Sequence, residues 1–255
     1  AKMFNIKTIM VWNSFLADRL FVYNDFRLGD EVLRQKIEEN KNKNFSLEDL
    51  SEVTRAYYTL QTEKGRDPTP VYTKADKKNF SFINTARVKL KAVMKSIADL
   101  SIFEKTFAYV VKLFKQNIKD EYVSAESEVD FDKPFVYLPL HFQPESTSSP
   151  LGDVFVDQIL MVETVAASLP DGWVLYVKEH PSQWPPRGFN FFSSRYRGYY
   201  KKIAALPNVR LVPLKTDTYD LINKSQAVAT ISGVAGIEAI MRLKTVMIFG
   251  YPSYR

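Results

Sequence analysis

AVATISGVAGIEAIMRLKTVMIFG, residues 227–250, is the stretch that decides the fold. Ala227-Val228-Ala229-Thr230 reads as a buried strand, Ala235 to Arg242 as a helix, and Val246-Met247-Ile248-Phe249 as a further strand. Two short apolar strands separated by one helix require a right-handed crossover and therefore lie parallel. The same alternation extends back to about Lys133. Phe135-Val136-Tyr137-Leu138 and Trp173-Val174-Leu175-Tyr176-Val177 read as strands, with a helix from Gly152 to Leu169 between them. After a loop rich in proline and aromatics come a helix from about Arg195 to Ala205, a strand Val209-Arg210-Leu211-Val212 and a short helix Thr218 to Asn223. Five strands alternating with helices predict an α/β, doubly wound parallel sheet, Rossmann-like, with the common strand order 3-2-1-4-5.

Upstream the texture differs. Two apolar runs, Ile6 to Trp12 and Leu20 to Tyr23, could close a preceding domain. From Glu31 to about Lys119 the pattern is helical. Ser46 with Asp49 resembles a cap before Leu50, Val53, Tyr57 and Leu60, and Gly65 and Pro68 end that helix. A second long helix is expected from Phe82 through Leu90, Met94, Ile97, Leu100, Phe103, Phe107 and Val110 to Phe114. The acidic stretch Ser124 to Asp130 reads as a linker. Residues 1–130 are thus expected as the end of an N-terminal domain with a helical connecting region, and 131–255 as the sheet domain. The chain begins at Ala1 and stops at Arg255, directly after an apparent strand, which points to a piece of a longer protein.

Bulk properties narrow the function. With 255 residues, 45% hydrophobic and 25% charged, the composition is that of a globular protein with a sizeable core. The net charge of +6 is mild and lacks a dense basic arm, so nucleic acid is not the expected partner, whereas an anionic small ligand or membrane surface suits it. The absence of cysteine removes thiol nucleophiles and thiolate metal sites. No apolar run approaches the roughly 20 residues of a membrane span. A cytoplasmic location is expected.

In the predicted order the sheet reverses between the strands at Phe135 and Ala227, and ligands of such folds bind beyond the strand carboxyl ends at that point. Three loops should meet there: Pro139-Leu140-His141-Phe142-Gln143-Pro144-Glu145, Lys178-Glu179-His180-Pro181, and Thr230-Ile231-Ser232-Gly233-Val234-Ala235-Gly236, followed by Glu238. Their chemistry suits a phosphate. Ser232-Gly233 opens a helix whose N–H groups and dipole favour an anion, and the Ser232 hydroxyl can donate. His180 can donate an imidazole N–H, Pro181 fixes its turn, and Lys178 adds positive potential. Glu238, about one helical turn further, can accept from ribose hydroxyls. No metal is required, and no set of carboxylates suited to one is evident.

Plainer roles are available for each residue. A single histidine at a strand end is more often structural than a ligand contact, although the only two in the chain fall in two converging loops. Gly233 and Gly236 can serve helix packing alone, and Glu145 and Glu179 can be solvated loop charges. Phe189, Phe191, Phe192, Tyr196, Tyr199 and Tyr200 could form a sugar or base platform, an interdomain contact or a lid.

The ordered segments FVYLPLHFQPESTSSPLGDVFVDQ, LPDGWVLYVKEHPSQW, LPNVRLVPLKTDTYDLINKSQAVATISGVAGIEAI and VMIFG closely resemble the bacterial capsule polysaccharide biosynthesis family, which includes transferases of 3-deoxy-manno-octulosonic acid (Kdo). The resemblance spans about Phe135 to Tyr251. It implies a glycosyltransferase of the two-domain GT-B type, with residues 131–255 as the domain binding the nucleotide-sugar donor. Such enzymes are metal-independent and commonly use CMP-activated sugars. The His-Pro pair is shared with bacterial sialyltransferases, where the histidine serves the nucleotide phosphate, and this role carries to His180 with Pro181. Ser232 and Gly233 match the phosphate-side segment, Glu238 the acidic position after it, and Gln143 and Glu145 the first motif. The resemblance leaves out most of an acceptor domain, the usual source of the catalytic carboxylate, so no general base is assigned.

The expected function is transfer of Kdo or a related acidic sugar from a CMP donor to a glycan or glycolipid acceptor in building a capsule or other surface polysaccharide, with possible peripheral association at the inner face of the membrane. A UDP- or GDP-sugar enzyme of the same fold, and a non-catalytic nucleotide- or glycan-binding module, are the alternatives.

Overall fold

In the computed structural model the residues described are 4, 6, 8–14, 16, 19–25, 27–63, 82–98, 101–113, 118–183 and 194–254. Strands β1 (Met10–Asn13) and β2 (Leu20–Tyr23) pair antiparallel, Met10 opposite Tyr23. Helix α1 (Glu31–Asn40) is capped by Asp30, whose carboxylate accepts from Leu33 N–H at 3.1 Å. Ser46 and Asp49 do pair, at 2.7 Å, but around a single 3-10 turn, Leu47–Asp49. Leu50 is extended, and α2 (Glu52–Thr62) starts afresh under a Ser51 cap. Gly65 and Pro68 lie outside the described residues.

The long helix expected from Phe82 is two, α3 (Phe82–Ala98) and α4 (Ile102–Leu113), with a turn at Ser101, a residue type that favours helix starts over interiors. Helix α5 (Ile118–Ala125) packs into the sheet unit through Tyr122, which has no exposed surface. The acidic stretch after it is no loose linker. Glu126 bridges in parallel to Leu211, and Ser127 N–H donates to the Leu211 carbonyl at 2.8 Å.

Strands β3 (Phe135–Pro139), β4 (Val174–Lys178), β5 (Val209–Leu211), β6 (Ala227–Thr230) and β7 (Thr245–Ile248) form one parallel sheet in the order β5-β4-β3-β6-β7, the predicted 3-2-1-4-5. The register sets Pro139 beside Lys178, and Tyr137 beside Val228. Side chains alternate across the sheet, which divides the core in two. Val136, Leu138, Leu175, Val177 and Ala229 pack with Tyr122, with Met161 and Val162 of α6 (Gln158–Ser168), and with Tyr200 and Ile203 of α7 (Tyr199–Ala204). Phe135, Tyr137, Tyr176 and Val228 face the other way, onto Leu221 and Ile222 of α8 (Thr218–Lys224) and Ala239 of α9 (Val234–Ile240). Burial on both faces is what makes the strands read as continuous apolar runs.

Two helix boundaries differ from expectation. Gly152 leads into a 3-10 turn, Asp153–Val156, and α6 begins only after Asp157, which accepts from Ile159 N–H at 3.0 Å. Helix α7 begins at Tyr199, behind Gly198 at φ 89°, so Arg195 lies outside it. Among the described residues no helix is long and apolar enough to cross a membrane.

Candidate functional site

The three loops meet at the carboxyl edge of the sheet, between β4, β3 and β6. His141, directly beyond β3, is buried. Its Nε2 accepts from Ile231 N–H at 3.2 Å and lies 3.0 Å from Thr230 Oγ. The acceptor role leaves the ring proton on Nδ1. Burial pulls its pKa down to about 4, and nearby His180 and Arg195 push the same way, so the imidazole is neutral. Gly233 is required beside it: a Cβ there would stand 2.9 Å from His141 Cε1 and 3.2 Å from Thr230 Oγ.

His180 lies beyond β4, partly buried, with its ring 5.8 Å from that of Phe142. Ser182 N–H donates to Nδ1 at 3.1 Å, which places the ring proton on Nε2. Pro181 is exposed beside it. Gln143 is buried and engaged throughout: it exchanges backbone–amide bonds with Gln183, both 3.0 Å, donates to Val156 O and accepts from Arg195. His141, Gln143, His180, Ser232 and Gly233 are thus brought together.

Several expected site side chains are already engaged within the protein. The Ser232 hydroxyl donates to the Thr147 carbonyl at 2.5 Å, so its proton is committed to the loop rather than to a ligand. The Lys178 ammonium turns to the β5–α8 connection, donating to Thr216 O at 2.5 Å and Thr218 Oγ at 3.0 Å, and burial lowers its pKa. Its expected role as local positive potential beside His180 is therefore replaced by a loop anchor. Glu145 is exposed and accepts from Thr147. Gly236 makes room for Tyr254, whose hydroxyl donates to Gly233 O at 2.6 Å. Glu238 sits near Tyr219, Arg242 and Tyr254; burial raises its pKa, opposed by the Arg242 charge.

Glu179 is no solvated loop charge. Its buried carboxylate receives Arg195 Nε at 2.7 Å, the Tyr200 hydroxyl at 2.5 Å and His180 N–H at 2.6 Å. Tyr199 and Tyr200 are core residues rather than a platform, while Tyr196 stays half exposed beneath Lys202. Phe189, Phe191 and Phe192 lie outside the described residues. Sequence reasoning missed Arg195, Gln183 and Gln158; only the spacing of Gln183, three residues after His180, offered any signal. Among the described residues no group of three or more His, Cys, Asp or Glu is gathered to hold a metal.

Residues 91–255 match the family described as capsule polysaccharide biosynthesis protein. Solved structures give partial likenesses. KpsC of Thermosulfurimonas dismutans, as a beta Kdo 2,7 transferase, aligns at 16% identity and TM-score 0.38 over 54% of this chain and 40% of that one. The beta Kdo 2,4 transferase of the same organism aligns at 22% identity and TM-score 0.34, over 48% and 35%. S. aureus MnaA, solved with UDP, aligns at 17% and 0.30, over 53% and 30%. This chain therefore spans two fifths or less of each of these proteins. No curated protein matches.

Proposed function

The chain belongs to the capsule polysaccharide biosynthesis family, and from that premise we propose that it is the donor-binding part of a GT-B glycosyltransferase. The donor is a CMP-activated acidic sugar, Kdo or a close relative, and no metal takes part. The observation that carries this reading is His180: its Nδ1 accepts from Ser182 N–H, which puts the ring proton on Nε2, and the residue stands where the three loops converge. In the transfer, an acceptor hydroxyl forms the new bond to the anomeric carbon as the bond to the CMP phosphate oxygen breaks, CMP departs, and the hydroxyl proton passes to water. The leaving phosphate gathers negative charge, and a donor held in place before reaction stabilises it most. Helix α9 has only seven residues, so its N-terminus adds a modest field and most of the weight falls on the imidazole. Glu238 would receive ribose hydroxyls.

A lipid-linked acceptor would bring the protein to the inner face of the membrane. Helix α3 supports this: Leu90, Met94 and Ile97 form an exposed apolar stripe, flanked by exposed Arg87, Lys91 and Lys95. That is the pattern of a helix lying in an anionic lipid surface. The protein is expected to float with phosphatidylglycerol vesicles and to lose that association in Met94→Asp. Flotation equal in both proteins would contradict it.

Calorimetric titration with CMP, UDP and GDP tests the donor. CMP is expected to bind most tightly, and His180→Ala to weaken it by about 1–3 kcal/mol, the worth of a charge-assisted hydrogen bond. Preference for UDP or GDP would move the assignment to another nucleotide-sugar enzyme. Unchanged affinity in a folded variant would remove His180 from the site.

A further inference from the structure

We infer that Arg195 and Glu179 form a positioning clamp that fixes the two histidine-bearing loops against each other and sets the orientation of the His180 ring. Both side chains are fully buried. The guanidinium gives Nε and one terminal nitrogen to the two Glu179 oxygens at 2.7 and 3.0 Å. The same terminal nitrogen reaches the His141 carbonyl at 2.9 Å, and the other reaches Gln143 Oε1 at 2.6 Å. One planar cation therefore holds acceptors from the loop after β3 and the loop after β4 at once. A lysine, a point donor on a flexible stem, could not reproduce that fork. Glu179 passes the constraint on: its Oε1 accepts His180 N–H at 2.6 Å, one residue from the imidazole, while Oε2 takes the Tyr200 hydroxyl.

Stability alone is a poor reason for this pair. Removing two charges from water is costly, and replacing a buried ion pair by neutral groups is often harmless or stabilising. The pair holds groups of both loops that carry His141 and His180, and it is backed by α7, where Tyr200 donates to Glu179 and the guanidinium lies 4.7 Å over the Tyr199 ring. The loops are further joined by the reciprocal amide bonds of Gln143 with Gln183, while those of His141 with Gln158 tie the first loop to the start of α6. These bonds use up backbone groups that would otherwise set the loops independently. The clamp rests on the proposed function only where ligand affinity is concerned; its effect on the ring is a property of the protein alone.

The test uses the whole protein with two readouts. The double variant Glu179→Gln/Arg195→Met, neutral and similar in volume, is expected to melt within a few degrees of the parent. Its CMP affinity is expected to fall about tenfold or more, the scale on which misplaced contact groups act. Imidazole nitrogen spectra of the ligand-free protein give the second readout. The parent should show one His180 nitrogen protonated and one acceptor-like, and the double variant an average of the two. If the double variant fails to fold, Arg195→Lys carries the same measurements, with the same expected loss. A folded variant with the parent's His180 spectrum overturns the clamp. A parent that ignores CMP but shows the spectral change in the variant would sink the nucleotide reading and leave the clamp standing.

Discussion

At the scale of single residues, His141 and Gly233 form one unit. Gly233 has φ −76°, so it is not there for a backbone only glycine can adopt; it is there for space. Gly233→Ala should push the imidazole off Ile231 N–H and cost about 1–3 kcal/mol of overpacking, read as a lower urea midpoint. Gly236→Ala would drive a Cβ into the Tyr254 phenol and displace that ring from its hydrogen bond to Gly233 O. Equal midpoints for Gly233→Ala and the parent would contradict the packing. His141 also predicts a pH dependence. Its pKa is about 4 when folded, against an ordinary value near 6.5 when unfolded. Above 6.5 both states hold it neutral. Between 6.5 and 4 only the unfolded chain takes the proton, so stability is lost as pH falls through that window, by roughly 2–4 kcal/mol in all. His141→Asn should flatten this part of the stability curve; a variant with the parent's slope would refute the depressed pKa.

At the scale of elements, α7 shows what holds the return side of the site. The Glu121 carboxylate on α5 accepts from Gly198, Tyr200 and Lys201 N–H at 2.8, 2.9 and 3.3 Å, capping the short helix from outside. Glu121→Ala should cost about 1–3 kcal/mol, since buried donors lose their acceptor; chemical unfolding with an unchanged midpoint would contradict this. That contact joins residues far apart in the chain, and so had no local signature. The strands were legible because a sheet covered on both faces leaves uninterrupted apolar runs, such as Phe135 to Leu138, and short helical crossovers allow few strand orders. Caps were less legible, because Ser46 and Ser51 are chemically alike and only the extended Leu50 decides which one starts α2. Of the site, the histidines and Gly233 could be found from loop position. Arg195 could not: a buried cation and a solvated one are the same letter, and its partners come from residues 141, 143 and 179. The engagement of Lys178 and Ser232 was hidden for the same reason.

At the scale of the whole molecule, the parallel sheet gathers the ends of β3, β4 and β6 at one edge, and buried polar bonds then fasten their loops together. The site is built from neutral or paired groups: His141 is uncharged, Glu179 is matched by Arg195, and Lys178 is turned to another loop. Among the described residues of these loops, a ligand's negative charge would meet oriented N–H donors, which favours a phosphate held in one geometry over nonspecific anion capture. A crystal structure of the protein soaked with CMP addresses this most directly. The nucleotide phosphate should lie within hydrogen-bond distance of His180 Nε2, at the carboxyl edge of the sheet beside the loops at 140–145, 178–183 and 231–236. CMP seated elsewhere, with the His180 ring untouched, would contradict it.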